Sequence, residues 1–184
     1  MLTKKQGEKL LKLARKSIES YFSGIEGGYE KEKKEFSEKQ GVFVTLHKDK
    51  ELRGCIGFPY PFLPLSEAIF QAARAAAFDD PRFLPLDKDE LKNIKIEISV
   101  LSVPREIKCK KEKICESIKI GKDGLIIQLN GNSGLLLPQV ALEWKWNEKE
   151  FLENCCQKAG LEKDAWLDDN CKIFKFQAQI FNES

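Results

Sequence analysis

The sequence predicts an α+β fold, with an antiparallel β-sheet flanked by helices. Apolar residues alternate with polar ones in short segments that come mostly as pairs joined by turns, which is typical of hairpins. Segments with helical spacing are not inserted regularly between single strands, which argues against a parallel doubly wound sheet. The 184 residues are enough for one domain spanning 1–184, and this domain could divide into a larger and a smaller lobe.

The charge balance excludes several classes of partner. The net charge is +2, from 31 basic and 29 acidic residues, which is too even for a protein that binds nucleic acid or an anionic membrane surface. No apolar stretch approaches the roughly 20 residues of a membrane span. The N-terminus carries no signal-peptide core. We therefore expect a cytoplasmic protein.

The cysteine and histidine content argues against a metal centre. None of the six cysteines belongs to a C-x-x-C pair, and His47 is the single histidine of the chain. In the cytoplasm the cysteines are expected to be free thiols, mostly buried as small apolar groups. We expect neither a metal nor another cofactor.

Local signals place the first elements. Thr3 and Gln6 have the spacing of a capping box, and the apolar residues that follow recur on one helical face as far as Phe22. Glycines at 24, 27 and 28 end this helix. A charged stretch up to Gln40 predicts a loop with one short helical piece.

Two alternating segments, 41–47 and 52–57, predict a hairpin. A three-residue loop, 48–50, separates polar from apolar side chains better than a two-residue loop does. This register sets Phe43 opposite Cys55. It also places His47 on the face that carries Arg53 and Cys55.

The rest of the chain predicts further helices and strands. The capping spacings Asp87–Glu90 and Asn147–Glu150 each mark the start of a helix. The predicted helices cover 65–78, 87–93, 109–117 and 147–160, and the predicted strands cover 95–103, 125–129, 134–137 and 171–181.

The hexamer Leu52–Gly57 is the candidate site. In an extended strand Arg53 and Cys55 point the same way, while Gly54 and Gly57 leave room for another backbone or a ligand. A cation such as Arg53 would lower the pKa of the Cys55 thiol, and His47 could act as its base, which would suit a nucleophile. The simpler alternative is that Cys55 fills a tight space and Arg53 pairs with Asp80.

Two non-catalytic hypotheses stand beside the nucleophile. Arg53, Arg74 and Arg82 could hold the carboxylate or phosphate of a small anionic ligand, with Asp80 on the other side of the cleft. For Arg74, which lies in an alanine-rich helix, a structural salt bridge or solvent exposure is the simpler interpretation.

The other hypothesis is a protein-interaction role. Residues 58–62 form a proline-rich loop with three aromatic side chains, Phe58, Tyr60 and Phe62. This loop could form a wall over the core. It could also form an exposed apolar patch that binds another protein.

The hexamer Leu52-Arg53-Gly54-Cys55-Ile56-Gly57 resembles the hallmark of the AMMECR-type domain family. Lys50 departs from the pattern, because a glycine would suit the turn before the hexamer better. Further stretches resemble the family in order: Gly41–Leu46, Asp80–Phe83 with Pro85, Glu97–Leu101, Gly124-Leu125, Leu136–Val140 and the tryptophan-bearing segment that follows.

The resemblance implies a two-lobed α+β fold with the hexamer lining a cleft between the lobes. It adds Gln139, from one of the matching stretches, to the candidate ligand contacts. The family has no securely assigned activity, so whether the protein is an enzyme stays open. Prokaryotic members are associated with Memo-like and radical S-adenosylmethionine proteins, which implies a shared pathway.

Overall fold

A computed structural model describes residues 2–24 and 29–183 of the chain, and it has the α+β architecture that the sequence predicts. The predicted glycine stops at 27 and 28 lie outside the described residues. The helices are α1 (Lys4–Ser23), α2 (Glu30–Glu35), α3 (Leu65–Phe78), α4 (Pro138–Glu143) and α5 (Glu148–Lys158). The strands are β1 (Gly41–Lys48), β2 (Glu51–Phe58), β3 (Ile94–Leu101), β4 (Arg105–Glu106), β5 (Asp123–Leu129), β6 (Asn132–Leu136) and β7 (Lys172–Asn182).

The chain forms two compact units. The first contains the residues up to Leu101 together with those from Gln179 onward, and the second contains Ser102–Ala178. In the first unit the strand order is β2-β1-β3, followed by the end of β7. In the second unit the order is β7-β5-β6, with β4 also paired to β7.

Helices α1 and α3 cover one face of the sheet formed by β2, β1 and β3 in the first unit. The side chains of Val42, Val44 and Leu46 point into this core and are completely buried. The predicted start of α1 is confirmed, because Thr3 forms a complete capping box. Its predicted stop is confirmed at Gly24, which has a left-handed conformation with φ 68°.

The β1–β2 hairpin has a two-residue turn, so the predicted three-residue loop is wrong. Asp49 and Lys50 form this turn, and both have positive φ angles, 52° and 70°. Such a turn matches the right-handed twist of the two strands, even though Lys50 lacks the freedom of glycine. Arg53 is the extra residue of a β-bulge, because Leu52 and Gly54 oppose consecutive residues of β1.

The observed register of the hairpin differs from the predicted one, but Cys55 stays on the predicted face of the sheet. Thr45 lies opposite Cys55, whereas Phe43 lies opposite Gly57. A turn that is one residue shorter shifts the register by one, which alone would place Cys55 on the core face. The extra residue of the bulge, Arg53, shifts the register back by one. Cys55 therefore shares the face of β1 that carries Thr45.

The second unit has its own apolar core. Helix α5 contributes the buried Phe151 and Leu152, and α5 begins with the predicted capping box at Asn147. Two short 3-10 turns, Lys111–Lys113 and Cys115–Ser117, replace the predicted helix over 109–117. Helix α4 and strand β4 were not predicted.

None of the helices in the described part of the chain is long and apolar enough to cross a membrane.

Candidate functional site

The sheet face opposite the helices of the first unit carries a row of polar side chains. Cys55 of β2, Thr45 of β1 and Glu97 of β3 are directly cross-strand neighbours. The side chains of facing residues lie close together in an antiparallel sheet. Accordingly, Oγ1 of Thr45 donates a hydrogen bond to Sγ of Cys55 at 3.3 Å.

The backbone of Cys55 is capped by the segment that follows α3. Strand β2 begins the strand order, so one side of it has no neighbouring strand. The amide of Cys55 donates to Oδ2 of Asp80 at 2.9 Å, and Nη2 of Arg82 donates to the Cys55 carbonyl at 3.3 Å. Asp80 and Arg82 therefore satisfy the backbone groups that an adjacent strand would otherwise pair.

Asp80 and Arg82 also form a bidentate ion pair. Nη2 of Arg82 lies 2.7 Å from Oδ2 of Asp80, and Nε lies 2.9 Å from Oδ1. The Asp80 side chain is 2% exposed, whereas that of Arg82 is 49% exposed. The hydrogen bonds from Arg82 hold the pKa of Asp80 well below its usual range, despite the opposing effect of burial.

Arg53 pairs with Glu90, which corrects the alternative in which it pairs with Asp80. Its Nη2 and Nε donate to the two Glu90 oxygens at 2.9 and 3.2 Å. Lys48 donates to the same carboxylate at 2.8 Å. These cations, Arg53 foremost, lower the pKa of Glu90 from 4.5 to about 2. The predicted cap at Asp87 is present, but the helix it begins is a 3-10 turn, Lys88–Glu90.

The two arginines converge on one aromatic ring. The guanidinium carbons of Arg53 and Arg82 lie 6.0 and 5.5 Å from the ring centroid of Phe83. Nη1 of Arg53 is buried and has no hydrogen-bond acceptor among the described residues. Asp80, Arg82 and Phe83 belong to one stretch of the family resemblance, but no sequence pattern indicates the contact between Arg53 and Glu90.

The surroundings of Cys55 favour the neutral thiol. Burial raises its pKa above the ordinary value of 9.0, and the nearby carboxylates Asp80 and Glu97 add to this. Thr45 and Arg82 act in the opposite direction but do not reverse the shift. The nucleophile hypothesis required a pKa lowered by Arg53, and this arrangement does not provide it.

Among the described residues, no hydrogen bond joins the predicted base, His47, to Cys55. His47 lies opposite Leu52 on one side and Lys95 on the other. His47 lines a cavity of about 330 Å³ that is also lined by Lys95, Glu97 and Glu183. The hydrogen bond to Sγ of Cys55 comes from Thr45 instead.

Protein atoms fill the space beside both glycines of the hexamer. A Cβ on Gly54 would lie 2.1 Å from the carbonyl oxygen of Ala76 in α3. A Cβ on Gly57 would lie 2.2 Å from the carbonyl oxygen of Val42. Of the two predicted reasons for glycine, the close approach of another backbone is the one found here.

Arg74 and Gln139, the other two candidate ligand contacts, lie on helices of different units. Nη2 of Arg74 donates to Oγ of Ser20 at 3.1 Å, and its guanidinium lies 5.3 Å from the ring of Phe70. Arg74 therefore stabilises the contact between α1 and α3. Gln139 lies in the first turn of α4, in the second unit.

In the described part of the chain, no three His, Cys, Asp or Glu side chains are grouped so that they could hold a metal ion.

Comparison with known proteins identifies the family. The AMMECR1 family model matches residues 11–181. The chain belongs to the AMMECR1 family. Protein PF1979 of Pyrococcus furiosus is 50% identical over an alignment that covers 96% of this chain and 88% of that protein. Protein MJ0810 of Methanocaldococcus jannaschii is 47% identical, over 100% of this chain and 92% of its own length.

A solved AMMECR1 relative has the same fold. The crystal structure of an uncharacterized protein, PH0010 from Pyrococcus horikoshii, matches with a TM-score of 0.95 and 47% identity. The match covers 100% of this chain and 94% of that one. The family resemblance based on the hexamer is thus confirmed over nearly the whole chain. The solved relative shows the fold, and the names of these relatives state no activity.

Proposed function

We propose that this protein binds a small anionic molecule non-covalently beside Arg53 and Arg82, with Cys55 acting as a neutral thiol in the wall of the site. The observation that carries the proposal is the convergence of both guanidinium groups on the ring of Phe83. Each group is held in place by its own carboxylate, Glu90 or Asp80. A ligand would therefore meet donors that are already ordered.

Arg53 retains donors that the protein does not use. Its Nε and Nη2 donate to Glu90, while the buried Nη1 has no acceptor among the described residues. Leaving a buried donor unpaired costs about 1–3 kcal/mol. Because Nη1 has no exposed surface, a ligand oxygen would reach it only after a covering side chain moves, and it would then offset that cost. The half-exposed Arg82 gives the ligand a contact that is already within reach of solvent.

The carboxylates set the selectivity that we expect. Because Asp80 and Glu90 neutralise their arginine partners, net charge contributes little to recognition. Directional N–H donors that do not bind Asp80 or Glu90 contribute more, because the oxygens of a carboxylate accept charge-assisted hydrogen bonds from them. The site should therefore prefer a small carboxylate to a halide at equal ionic strength.

Malonate is a suitable probe of this proposal. We would titrate the full chain with malonate at constant ionic strength and follow the backbone amides by ¹H–¹⁵N NMR. Saturable shifts should centre on Cys55, Arg82 and Phe83, and chloride should not reproduce them. Shifts that do not saturate, or that centre elsewhere, would contradict the proposal.

A charge-conserving variant tests the geometry of the donors. Arg53→Lys keeps the positive charge but removes the fork and its free Nη1. A hydrogen bond to a charged group contributes about 1.5–3 kcal/mol, so the affinity for malonate should fall on the order of tenfold. The matched control is Arg15→Lys, at another arginine of the first unit that is paired with a carboxylate, Glu183. Equal effects of the two substitutions would argue against a site at Arg53.

One exposed side chain favours a second candidate, a protein-interaction role. Phe62 is 71% exposed, and its ring lies 5.8 Å from that of Tyr60, whereas Phe58 packs against the core. The predicted Memo-like and radical S-adenosylmethionine proteins are the partners to test. Under this candidate Phe62→Ser abolishes co-purification with such a partner, while malonate binding persists. An unchanged co-purification would count against the loop.

A further inference from the structure

Strands β4 and β7 of the second unit place two cations opposite each other. Arg105 of β4 is the direct cross-strand neighbour of Lys175 of β7. Like charges in this position destabilise an antiparallel pair. A local conflict of this kind is often found where a protein uses the residues for function.

Both side chains line one cavity of about 380 Å³, and Lys119 lines it as well. Arg105 and Lys119 are exposed, and neither has a carboxylate partner in the parts of the chain that the structure describes. Asp123 supplies the one carboxylate among the lining residues. Three cations and one carboxylate leave two positive charges around the cavity.

The carboxylate is already engaged. The Asp123 side chain is 4% exposed, and its Oδ2 accepts a hydrogen bond from the amide of Lys119 at 3.0 Å. The same oxygen lies 3.5 Å from Nζ of Lys175, which also donates to the Ser117 carbonyl at 2.6 Å. Asp123 and Ser117 therefore fix the ammonium group of Lys175, whose side chain is 35% exposed.

We propose that this cavity binds a phosphoryl group. A phosphate dianion would match the two excess charges, and its several oxygens could accept hydrogen bonds from Arg105, Lys119 and Lys175 together. The dianion would also remove the repulsion between Arg105 and Lys175. The exposed Val103 offers apolar contact to the organic part of a phosphomonoester.

The site lies wholly within the second unit, so the test is independent of the site at Arg53. We would titrate the full chain with inorganic phosphate at constant ionic strength and follow the amides of Val103, Lys119 and Gln177 by NMR. Saturable shifts at these residues are expected. Shifts spread over all exposed lysines would overturn the proposal, because they would indicate non-specific attraction.

Two substitutions and a control locate the binding. Arg105→Gln and Lys119→Gln should each weaken phosphate binding about tenfold, the effect of losing one charge-assisted hydrogen bond. Lys172→Gln removes an equal charge from an exposed position on the same strand and should leave binding unchanged. Equal losses in all three variants would overturn the proposal.

Phenyl phosphate distinguishes the two sources of a phosphoryl group. Tighter binding of phenyl phosphate than of inorganic phosphate, with the same loss in Arg105→Gln, would assign the cavity to an organic phosphomonoester. Equal affinities would assign it to free phosphate. Failure of both probes to bind at the cavity would refute the phosphoryl site and leave the malonate experiment unaffected.

Discussion

Replacing Glu90 by glutamine removes the carboxylate that holds Arg53 in place. Both oxygens of Glu90 accept hydrogen bonds from Arg53, and Lys48 donates to one of them at 2.8 Å. Glutamine keeps the size of the side chain and one acceptor oxygen, but it has no charge. We predict that Glu90→Gln lowers the free energy of unfolding at neutral pH.

The magnitude follows from the pKa of Glu90. Arg53 and Lys48 lower this pKa from 4.5 to about 2, and the difference corresponds to about 3 kcal/mol at most. Solvent screens part of the interaction, because Glu90 is 18% exposed and Lys48 is 36% exposed. The expected loss of unfolding free energy is therefore about 1–2 kcal/mol.

The pH dependence separates the charge from a packing effect. A carboxylate whose pKa is lower in the folded state stabilises the protein above its unfolded-state pKa. That contribution is lost as the pH falls through the folded-state value. The difference between the wild type and Glu90→Gln should therefore be largest above about pH 5 and shrink towards about pH 2.

Urea unfolding followed by circular dichroism at several pH values would measure this difference. Glu116→Gln, at an exposed glutamate of the second unit, is the control and should change little. The reasoning would be refuted if Glu90→Gln were as stable as the wild type at pH 7. A constant difference across the whole pH range would also refute it.

Three further predictions concern packing, thiol reactivity and a helix cap. Gly54→Ala should cost about 1–3 kcal/mol in chemical denaturation, because the new Cβ would lie 2.1 Å from the carbonyl oxygen of Ala76. In iodoacetamide labelling read by peptide mass spectrometry, the exposed Cys109 should react first. Cys55 should react slowly, and the midpoint of its labelling rate against pH should lie above pH 9.0. Fast labelling of Cys55 at neutral pH would restore the nucleophile hypothesis. Asn147→Ala should cost about 1 kcal/mol in the same denaturation assay, since Asn147 caps α5, and a neutral effect would mean that this cap contributes little.

Local chemistry explains why much of the fold could be predicted from the sequence. Thr3 and Asn147 each form a capping box with the residue three positions later, Gln6 or Glu150. Both capping boxes are present in the structure. Helix α3 has the predicted bounds, Leu65–Phe78. In these cases the residues that decide the structure are close together in the chain.

The hairpin register could not be predicted because two local effects offset each other. The turn at Asp49 and Lys50 is one residue shorter than the polar pattern favours, and the bulge at Arg53 restores the pattern. Alternation alone cannot distinguish a longer turn from a shorter turn with a bulge. The face of Cys55 was predictable, but its neighbour was not.

The candidate site was predictable only in part for a similar reason. The hexamer marked Arg53 and Cys55, while the capping spacing marked Glu90 as a local residue of a helix start. Nothing in the spacing indicates that Glu90 also accepts hydrogen bonds from Arg53, which is 37 positions away in the chain. The pKa of Cys55 likewise depends on burial and on carboxylates that only the folded chain brings close.

A crystal structure of the protein with malonate would test the proposed anion site most directly. We predict that a malonate carboxylate lies beside Phe83 and accepts hydrogen bonds from Nη1 of Arg53 and from Arg82, with no covalent bond to Cys55. Malonate ordered at other basic groups, with none beside Phe83, would contradict the proposal.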